Sequence, residues 1–339
     1  MTLEPKKRML TGDRTTGKLH LGHYVGSLQN RVALQDRYET MILLADVQAL
    51  TTHFENPGLI AQSIYDVAID NLSAGLDPEK ICFVQQSQVP AIAELTVFYS
   101  MFVQVNVLRH NPTVKTEARQ YGYDDLTYGF LGYPISQTAD ITFCKADLVP
   151  VGEDQLPHLE LSRKIVRRFH DLYSKEKPIL HVPHPLLSHT PRLAGLDGSS
   201  KMGKSLGNAI YLSDDADTVT AKVRGAVTDT NRIAVSDPGN PDVCVVSRYH
   251  TVFNPDEYGD ICERCRGAKI GCVACKQRLA ERLNALLAPV RERRRYYKKN
   301  LPLVKDYILE GTRRANGMGA ETAAEVKTAM GFTVGGSLY

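Results

Sequence analysis

MLTGDRTTGKLHLGHYVG, residues 9–26, reads as a strand ending at Thr11, a glycine-bearing loop and a helix opening near His20. Gly12 and Gly17 lack a Cβ, so they permit tight turns and let a ligand come close to the backbone. His20 and His23 stand three residues apart, which places both on one face of the first helical turn. The unbonded N–H groups and positive dipole end of such a turn suit a phosphate. The same turn also serves as a plain connection and a His pair as a solvated face, so these residues need a partner elsewhere in the chain.

The strand-then-helix rhythm continues outward. Residues 40–45 (TMILLA) have the look of a buried parallel strand. Asp46 follows at the carboxyl end, where open α/β sheets place ligands. Asn56 and Pro57 suit the cap and first turn of a helix. Its apolar positions Leu59, Ile60, Ile64, Val67, Ala68 and Leu72 recur at helical spacing, and Gly75 ends it. Residues 81–84 (ICFV) are the next strand, followed by a helical stretch over 91–108. Residues 110–127 carry Asn111-Pro112 and several charges, and read as a solvated connection. A helix over 133–141, with Pro134 near its first turn, puts Tyr133, Gln137 and Asp140 on one face. A buried carboxylate there needs a donor, and a structural Asp is the ordinary case. Residues 148–152 form a further strand and turn, and 153–155 open a long amphipathic helix. The alternation predicts an α/β fold, a Rossmann-like doubly wound parallel sheet with helices on both faces.

The 339 residues have room for two domains, 1–208 with the sheet and 209–339 with a helical pattern. Candidate helices in the second part cover 214–224 and 276–292. A formal net charge of +3 excludes a coat of basic surface but leaves room for local clusters. One is 291–299 (RERRRYYKK), whose six basic residues and two tyrosines suit phosphate contact with base stacking, while a solvated helix face is the ordinary case for any single residue in it. Hydrophobic residues at 43% and charged residues at 23% are those of an ordinary globular chain. No run of about 18 apolar residues indicates a membrane span. The basic start lacks the apolar core of a secretory signal, so a cytoplasmic location is expected.

Downstream, a loop over 195–200 rich in Gly, Ser and Asp leads into Lys201-Met202-Gly203-Lys204-Ser205. A mobile loop with two lysines can close over a polyphosphate and neutralise charge that develops during reaction. The proline-rich stretch 178–191 before it reads as a linker. Of seven cysteines, Cys82 and Cys144 sit singly and read as small buried hydrophobes. Cys262, Cys265, Cys272 and Cys275 form C-x2-C-x6-C-x2-C, which suits Zn²⁺ or an iron–sulfur cluster, and Cys244 lies upstream.

HLGH at 20–23 resembles the HIGH motif of class I aminoacyl-tRNA synthetases, and KMGKS at 201–205 resembles their KMSKS loop. With LLADVQALT, YPISQTADI and VGEDQLPHLELSRKIVRRF added, residues 9–207 resemble the bacterial tryptophanyl-tRNA synthetases. That resemblance implies a ligase that uses ATP with Mg²⁺ to activate L-tryptophan and passes it to tRNA(Trp). It implies a homodimer, with 110–127 near its interface, and an anticodon site in 209–339. It assigns catalysis to His20, His23, Lys201 and Lys204. ATP would meet these four together with Thr11, Gly12, Asp13, Arg14, Gly17, Gly22, Lys115, Gly152, Asp154, Met202, Gly203 and Ser205. Tryptophan would meet Leu10, Tyr133, Gln137, Asp140 and Gln155, with Asp140 accepting the indole N–H. Gly203 departs from the family, where a serine usually stands. A subset of these enzymes holds a [4Fe–4S] cluster, and Cys244, Cys265, Cys272 and Cys275 match its ligands, with Zn²⁺ on the set containing Cys262 as the alternative. Tyrosyl-tRNA synthetases share the Tyr-x3-Gln-x2-Asp pattern. A nucleotidyltransferase of the same fold and a synthetase-like binding protein without catalysis are further readings.

Overall fold

The computed structural model describes residues 6–152, 155–187, 193–199, 202–203 and 206–332. Five strands, β1 (Arg8–Arg14), β2 (Glu39–Ala45), β3 (Ile81–Gln85), β4 (Leu148–Val151) and β5 (His184–Leu187), form one parallel sheet in the order β3-β2-β1-β4-β5. The chain starts at the centre, builds one side, then crosses to build the other. A crevice therefore opens between the carboxyl ends of β1 and β4. β1 runs past the expected end at Thr11 because it pairs with β2 as far as Arg14 opposite Ala45. A Cβ on Gly12 would stand 2.5 Å from the Leu43 carbonyl oxygen, so the approach of these two strands needs glycine. β5 falls inside the stretch read as a linker. Its Pro185 disguised it, and an edge strand tolerates that proline.

α1 (Leu21–His23) runs through a π-turn (Tyr24–Leu28) into α2 (Gln29–Leu34). After β2 come α3 (Asp46–His53) and α4 (Pro57–Ala74). The Asn56 side chain caps α4 by accepting the Leu59 N–H at 3.3 Å, and Gly75 closes it at φ 119°. The single helix expected over 91–108 is two, α5 (Pro90–Ser100) and α6 (Val105–Arg109). The expected connection over 110–127 holds a helix, α7 (Pro112–Tyr121). Asn111 Oδ1 caps it from Thr113 and Val114 N–H at 3.0 and 3.4 Å, and Gly122 ends it at φ 69°. α8 (Tyr128–Thr142) starts at Tyr128 rather than Tyr133, because Thr127 accepts the Phe130 N–H at 3.2 Å and so sets the cap. Pro134 is consequently inside the helix. α9 (Leu156–Tyr173) precedes β5, and α10 (Ala216–Gly225), α11 (Val245–Phe253), α12 (Pro255–Arg266), α13 (Cys272–Lys299) and α14 (Leu301–Ala329) complete the chain. No helix among the described residues is long and apolar enough to cross a membrane.

The last two helices pack onto the sheet layer. Leu279, Leu283, Leu287 and Val290 of α13 share one core with Val67, Ala68 and Leu72 of α4. The basic run 291–299 is divided by this docking. Arg294 is buried, with Nε 2.7 Å from Asp70 Oδ1 and Nη2 2.7 Å from Asp66 Oδ1, both on α4. Arg293 Nε donates to the Ser73 carbonyl at 2.7 Å, and Tyr297 packs on the core. α14 lies along the outer strand β3. Gly311, Ala315 and Gly319 recur every four residues and let the helix approach closely. A Cβ at Gly311 would stand 2.1 Å from the Phe83 carbonyl oxygen, and one at Gly319 2.9 Å from Ala91 Cβ. Thr312 Oγ1 accepts the Gln85 N–H at 3.0 Å, so the helix covers an edge that would otherwise invite pairing.

Gly311→Val is expected to lose about 1–3 kcal/mol through overpacking, seen as a lower urea midpoint with an unchanged slope. Gly317→Ala, on the same helix with nothing within 4 Å of its Cβ, is expected to be neutral or to gain up to about 1 kcal/mol.

Candidate active site

A cavity of ≈ 530 Å³ occupies the crevice. β1 supplies Leu10, Thr11, Gly12, Asp13 and Arg14 to its wall. α8 supplies Tyr133, Gln137 and Asp140, and Gln155 and His158 come from the start of α9. His20 and His23 close one side, with Met202 and Gly203 beside them. Gly152 lines a smaller adjoining pocket of ≈ 190 Å³ with Gly12 and Ser27. Gly17, at φ 106°, turns the loop. Lys115 is exposed and does not line the cavity, whereas Glu117 and Gln120 of the same helix do. Asp154, Lys201, Lys204 and Ser205 lie outside the described residues.

The two histidines are organised by each other. His20 caps α1, its Nδ1 accepting the Gly22 N–H at 3.1 Å, while His23 Nδ1 accepts the His20 N–H at 3.2 Å. Their rings are 3.9 Å apart. Each Nδ1 is an acceptor, so each ring carries its proton on Nε2 and offers a donor rather than a base. The Gly22 N–H, expected to be open to phosphate, is thus satisfied within the motif. A Cβ on Gly22 would fall 2.8 Å from His20 Cε1, which explains the glycine. The motif is strapped on its other side to the chain that follows the KMGKS loop. Leu21 N–H donates to the Ile210 carbonyl at 2.9 Å and Leu212 N–H to the Leu19 carbonyl at 3.0 Å. Asn208 in turn receives the Gly203 N–H at 2.9 Å and donates to Asp197 and Ser199 at 3.0 and 2.8 Å.

Two buried carboxyls in the wall have opposite fates. Burial pushes Asp13 up, but the Arg31 guanidinium at 2.6 Å and then the Asn71 amide more than offset it and hold Asp13 at about 2. Burial also pushes Asp140 up, the single amide of Gln86 at 2.8 Å opposes it only partly, and nearby Asp46 adds to it, so Asp140 stands at about 7. Tyr133 shares a hydrogen bond with His158 Nε2 at 2.8 Å, and burial, then the Glu117 carboxylate, raises its phenol. Asp46, expected at a ligand edge, has both oxygens engaged. It accepts Val47 and Ser87 N–H at 2.9 and 2.8 Å, and Gln85 Nε2 and Ser87 Oγ at 3.0 and 2.6 Å. It ties β2 to β3.

His158, Gln86, Glu117, Arg31 and Asn71 were not anticipated from sequence. His158 follows Gln155 by one helical turn and Gln86 follows β3 at its carboxyl end, which are the signals that marked them.

Residues 2–288 match the family described as tRNA synthetases class I (W and Y). The chain belongs to that family. This synthetase is 48% identical over 337 residues to the tryptophan–tRNA ligase of Streptococcus mutans, across 96% of this chain and 98% of that one. It is 47% identical to the tryptophan–tRNA ligase of Streptococcus pneumoniae serotype 4 over the same shares. The tryptophanyl-tRNA synthetase of Campylobacter jejuni, solved with ADP and tryptophan, superposes with a TM-score of 0.83 at 26% identity. That match covers 96% of this chain and 99% of the other. A tyrosyl-tRNA synthetase from Archaeoglobus fulgidus shares the fold of the synthetase at a TM-score of 0.67 and 23% identity.

Five of the seven cysteines of the synthetase, Cys244, Cys262, Cys265, Cys272 and Cys275, gather away from the cavity, while Cys82 and Cys144 are buried singly. Cys265 and Cys272 Sγ each lie 4.0 Å from Arg232 Nη1, and Cys275 Sγ lies 3.5 Å from His250 Nε2. Cys275 is pushed up to about 12 by burial and then by Cys244, Cys265, Cys272 and Cys262, in that order. Among the described residues, no group of three His, Cys, Asp or Glu side chains is arranged to hold a metal ion. A guanidinium stands within reach of two of the thiols.

The low value of Asp13 fixes the sign of its pH effect. The ion pair contributes fully above about pH 4 and is lost as the pH falls through about 2. Asp13→Asn leaves Arg31 charged and buried, and is expected to cost about 3–5 kcal/mol at neutral pH. Urea unfolding followed from pH 7 to pH 2 should show that the variant also loses the part of the acid sensitivity between those two values.

Proposed function

We propose that ATP and L-tryptophan are joined in the crevice cavity and that the chain is a tryptophan–tRNA ligase. The tryptophan carboxylate attacks the α-phosphate of ATP and pyrophosphate leaves. A ribose hydroxyl at the 3′ end of tRNA(Trp) then takes the aminoacyl group from the adenylate and releases AMP. The observation that supports a substrate side chain with a hydrogen bond to donate is Asp140, and the relatives named below favour an indole over a phenol. It is buried in the cavity wall with one oxygen bonded to Gln86 and, among the described residues, no hydrogen bond to the other. An indole N–H is one donor with no acceptor, which matches a lone acceptor oxygen. A site built to pair with it penalises side chains that lack it. The tryptophan–tRNA ligases at 47% and 48% identity support the same substrate.

No covalent nucleophile is required, so positioning and charge stabilisation carry the chemistry. His20 and His23 present Nε2–H donors to the phosphates. Lys201 and Lys204 take the charge of the leaving pyrophosphate. Thr11, Gly12, Asp13, Arg14, Gly17, Gly22, Gly152, Asp154, Met202, Gly203 and Ser205 surround ATP and its Mg²⁺, while Lys115, outside the cavity wall, is left without an assigned contact. Leu10, Tyr133, Gln137 and Gln155 hold the amino acid around Asp140. Asp13 acts through Arg31, since both its oxygens already bond to that guanidinium. The part from residue 209 onward carries the anticodon site. The exposed apolar side chains Val47, Phe54 and Tyr128, which share one groove, support a homodimer.

The chemistry of the cysteine set fits a thiophilic metal, held by Cys265, Cys272, Cys275 and Cys244. Cys244 is preferred to Cys262 because it stands at the upstream position that the cluster-bearing synthetases use for the fourth ligand. A [4Fe–4S] cluster or Zn²⁺ would supply structural cross-linking there and takes no part in the ligase reaction. Protein purified without oxygen is expected to contain iron and acid-labile sulfide, with a brown colour lost in Cys272→Ala. Zinc in a colourless protein would assign the alternative, and neither metal would sink both.

ATP–pyrophosphate exchange should depend on tryptophan and prefer it to tyrosine by at least about 100-fold in kcat/KM. A raised carboxyl is protonated below its pKa, and the ionised form is the stronger acceptor. The KM for tryptophan should therefore fall as the pH rises through about 7. Asp140→Asn should remove that dependence and lower kcat/KM by about 10–100-fold. Exchange driven equally by tyrosine would defeat the assignment.

A further inference from the structure

We propose that a groove between the loop before His20 and α13 binds RNA phosphates and seats the stem that delivers the reacting end of the tRNA. The inference rests on the ligase reading and adds a contact surface to it. The groove, ≈ 490 Å³, is separate from the active-site cavity. Lys18, Arg291, Arg294, Arg295 and Lys298 line it, against Asp215 as the one carboxylate among its described lining residues. On a chain whose formal net charge is +3, that is a concentrated positive field.

The walls are fixed before any ligand arrives. Asp70 is fully buried and holds both. Its Oδ2 accepts the Leu19 N–H at 2.8 Å, next to Lys18, and its Oδ1 accepts Arg294 Nε at 2.7 Å, next to Arg295. Arg291 is held by the Asn284 carbonyl at 2.9 Å, the Asn284 side chain at 3.1 Å and the Asp214 carbonyl at 3.2 Å. Arg294 is neutralised by Asp66 and Asp70, which leaves Lys18, Arg291, Arg295 and Lys298 facing the groove. Burial lowers the proton affinity of Arg291, Asp215 raises it, and the crowding charge of Arg295 lowers it again. A bound anion relieves that crowding.

Spacing separates a polymer from a small anion. Arg291, Arg295 and Lys298 follow one another at i, i+4 and i+7, along about 10 Å of a single helix face. One phosphate engages only part of that line, whereas successive phosphates of a nucleic-acid backbone follow it. Location selects the part of the RNA. Lys18 is two residues from His20, whose ring lines the reaction cavity. With the 3′ end of the tRNA in that cavity, the next charged structure within reach is the helical stem behind it.

The test uses Arg295→Ala/Lys298→Ala, two exposed side chains, with transcribed tRNA(Trp) and a minihelix of its acceptor stem. Filter binding should weaken at least about 10-fold for both RNAs in moderate salt. The slope of log affinity against log salt should fall by about 2, near 0.9 for each duplex phosphate no longer neutralised. Tryptophan-dependent ATP–pyrophosphate exchange should be unchanged, which also reports an intact fold, and Arg295→Lys should retain affinity. Unchanged affinity and slope would overturn the site. A loss confined to full-length tRNA, with minihelix binding intact, would overturn its assignment to the acceptor stem. Weakened inhibition by pyrophosphate with tRNA affinity intact would mark a small-anion site and likewise overturn it. Absence of tryptophan-dependent exchange in the unaltered protein would instead strike the ligase reading itself.

Discussion

A single buried carboxylate, Asp70, joins the parts of this protein that must keep register. It sits in α4, receives the backbone of Leu19 on one oxygen and Arg294 on the other, and has no exposure to water. Burial raises its pKa, and the guanidinium and the Leu19 amide oppose that rise. Such a group is tolerable only while both partners are present, because an unpaired buried charge costs several kcal/mol. The consequence is geometric. The start of the histidine motif cannot shift relative to α4, and α4 cannot shift relative to α13, without breaking the arrangement. Together with the backbone bonds from residues 210 and 212, it holds His20 from both sides, which suits a residue whose contribution is position.

Inside the cavity, the pair Asp13 and Asp140 shows how one environment makes two different groups. Both are buried, so both begin from the same penalty on the charged form. Asp13 meets a full positive charge and stays ionised across the physiological range, fixing Arg31 and the end of β1. Asp140 meets only an amide and sits near neutrality, with an oxygen left for a donor from a ligand. A permanently ionised group is a good anchor, and one balanced near pH 7 responds strongly to a single added N–H. The difference between anchor and reader lies in Arg31 against Gln86, neither of which stands near its partner in sequence.

That separation is why the fold was more legible than the site. β2, β3 and β4 show as short apolar runs, β1 shows by the glycine loop that follows its first residues, and α4 carried its cap, its proline and its closing glycine in plain view. α7 carried an equally complete set in Asn111, Pro112 and Gly122, but its polar composition hid the helix behind the look of a solvated connection. β5 was hidden by prolines, which are informative only once a strand is known to lie at an edge. The histidine pair was legible as a pair, yet its internal capping was not, because Nδ1 contacts depend on backbone torsions that spacing does not fix. The cysteine spacing was legible as a clasp, while the approach of Arg232, from a distant loop, was not.

The basic run of α13 resolves the choice between a functional charge cluster and a solvated face. A helix turns 100° per residue, so neighbours in sequence serve different surfaces. Arg294 points into α4 and is part of the fold. Tyr297 packs on the core, and Arg291, Arg295 and Lys298 share the groove beside Lys18. A run of like charges is costly unless something balances it; Asp66 and Asp70 pair the inward Arg294, and Asp215 alone among the described groove-lining residues opposes the outward cations. The same helix thereby ties down the loop before His20 with one residue and presents excess positive charge beside that loop with the next. A polyanion engaging Arg295 and Lys298 touches an element whose adjacent side chain is bonded, through Asp70, to the backbone that leads into His20. Two hydrogen bonds to one carboxylate therefore link the groove face of α13 to the backbone that leads into His20, alongside the direct backbone bonds from residues 210 and 212.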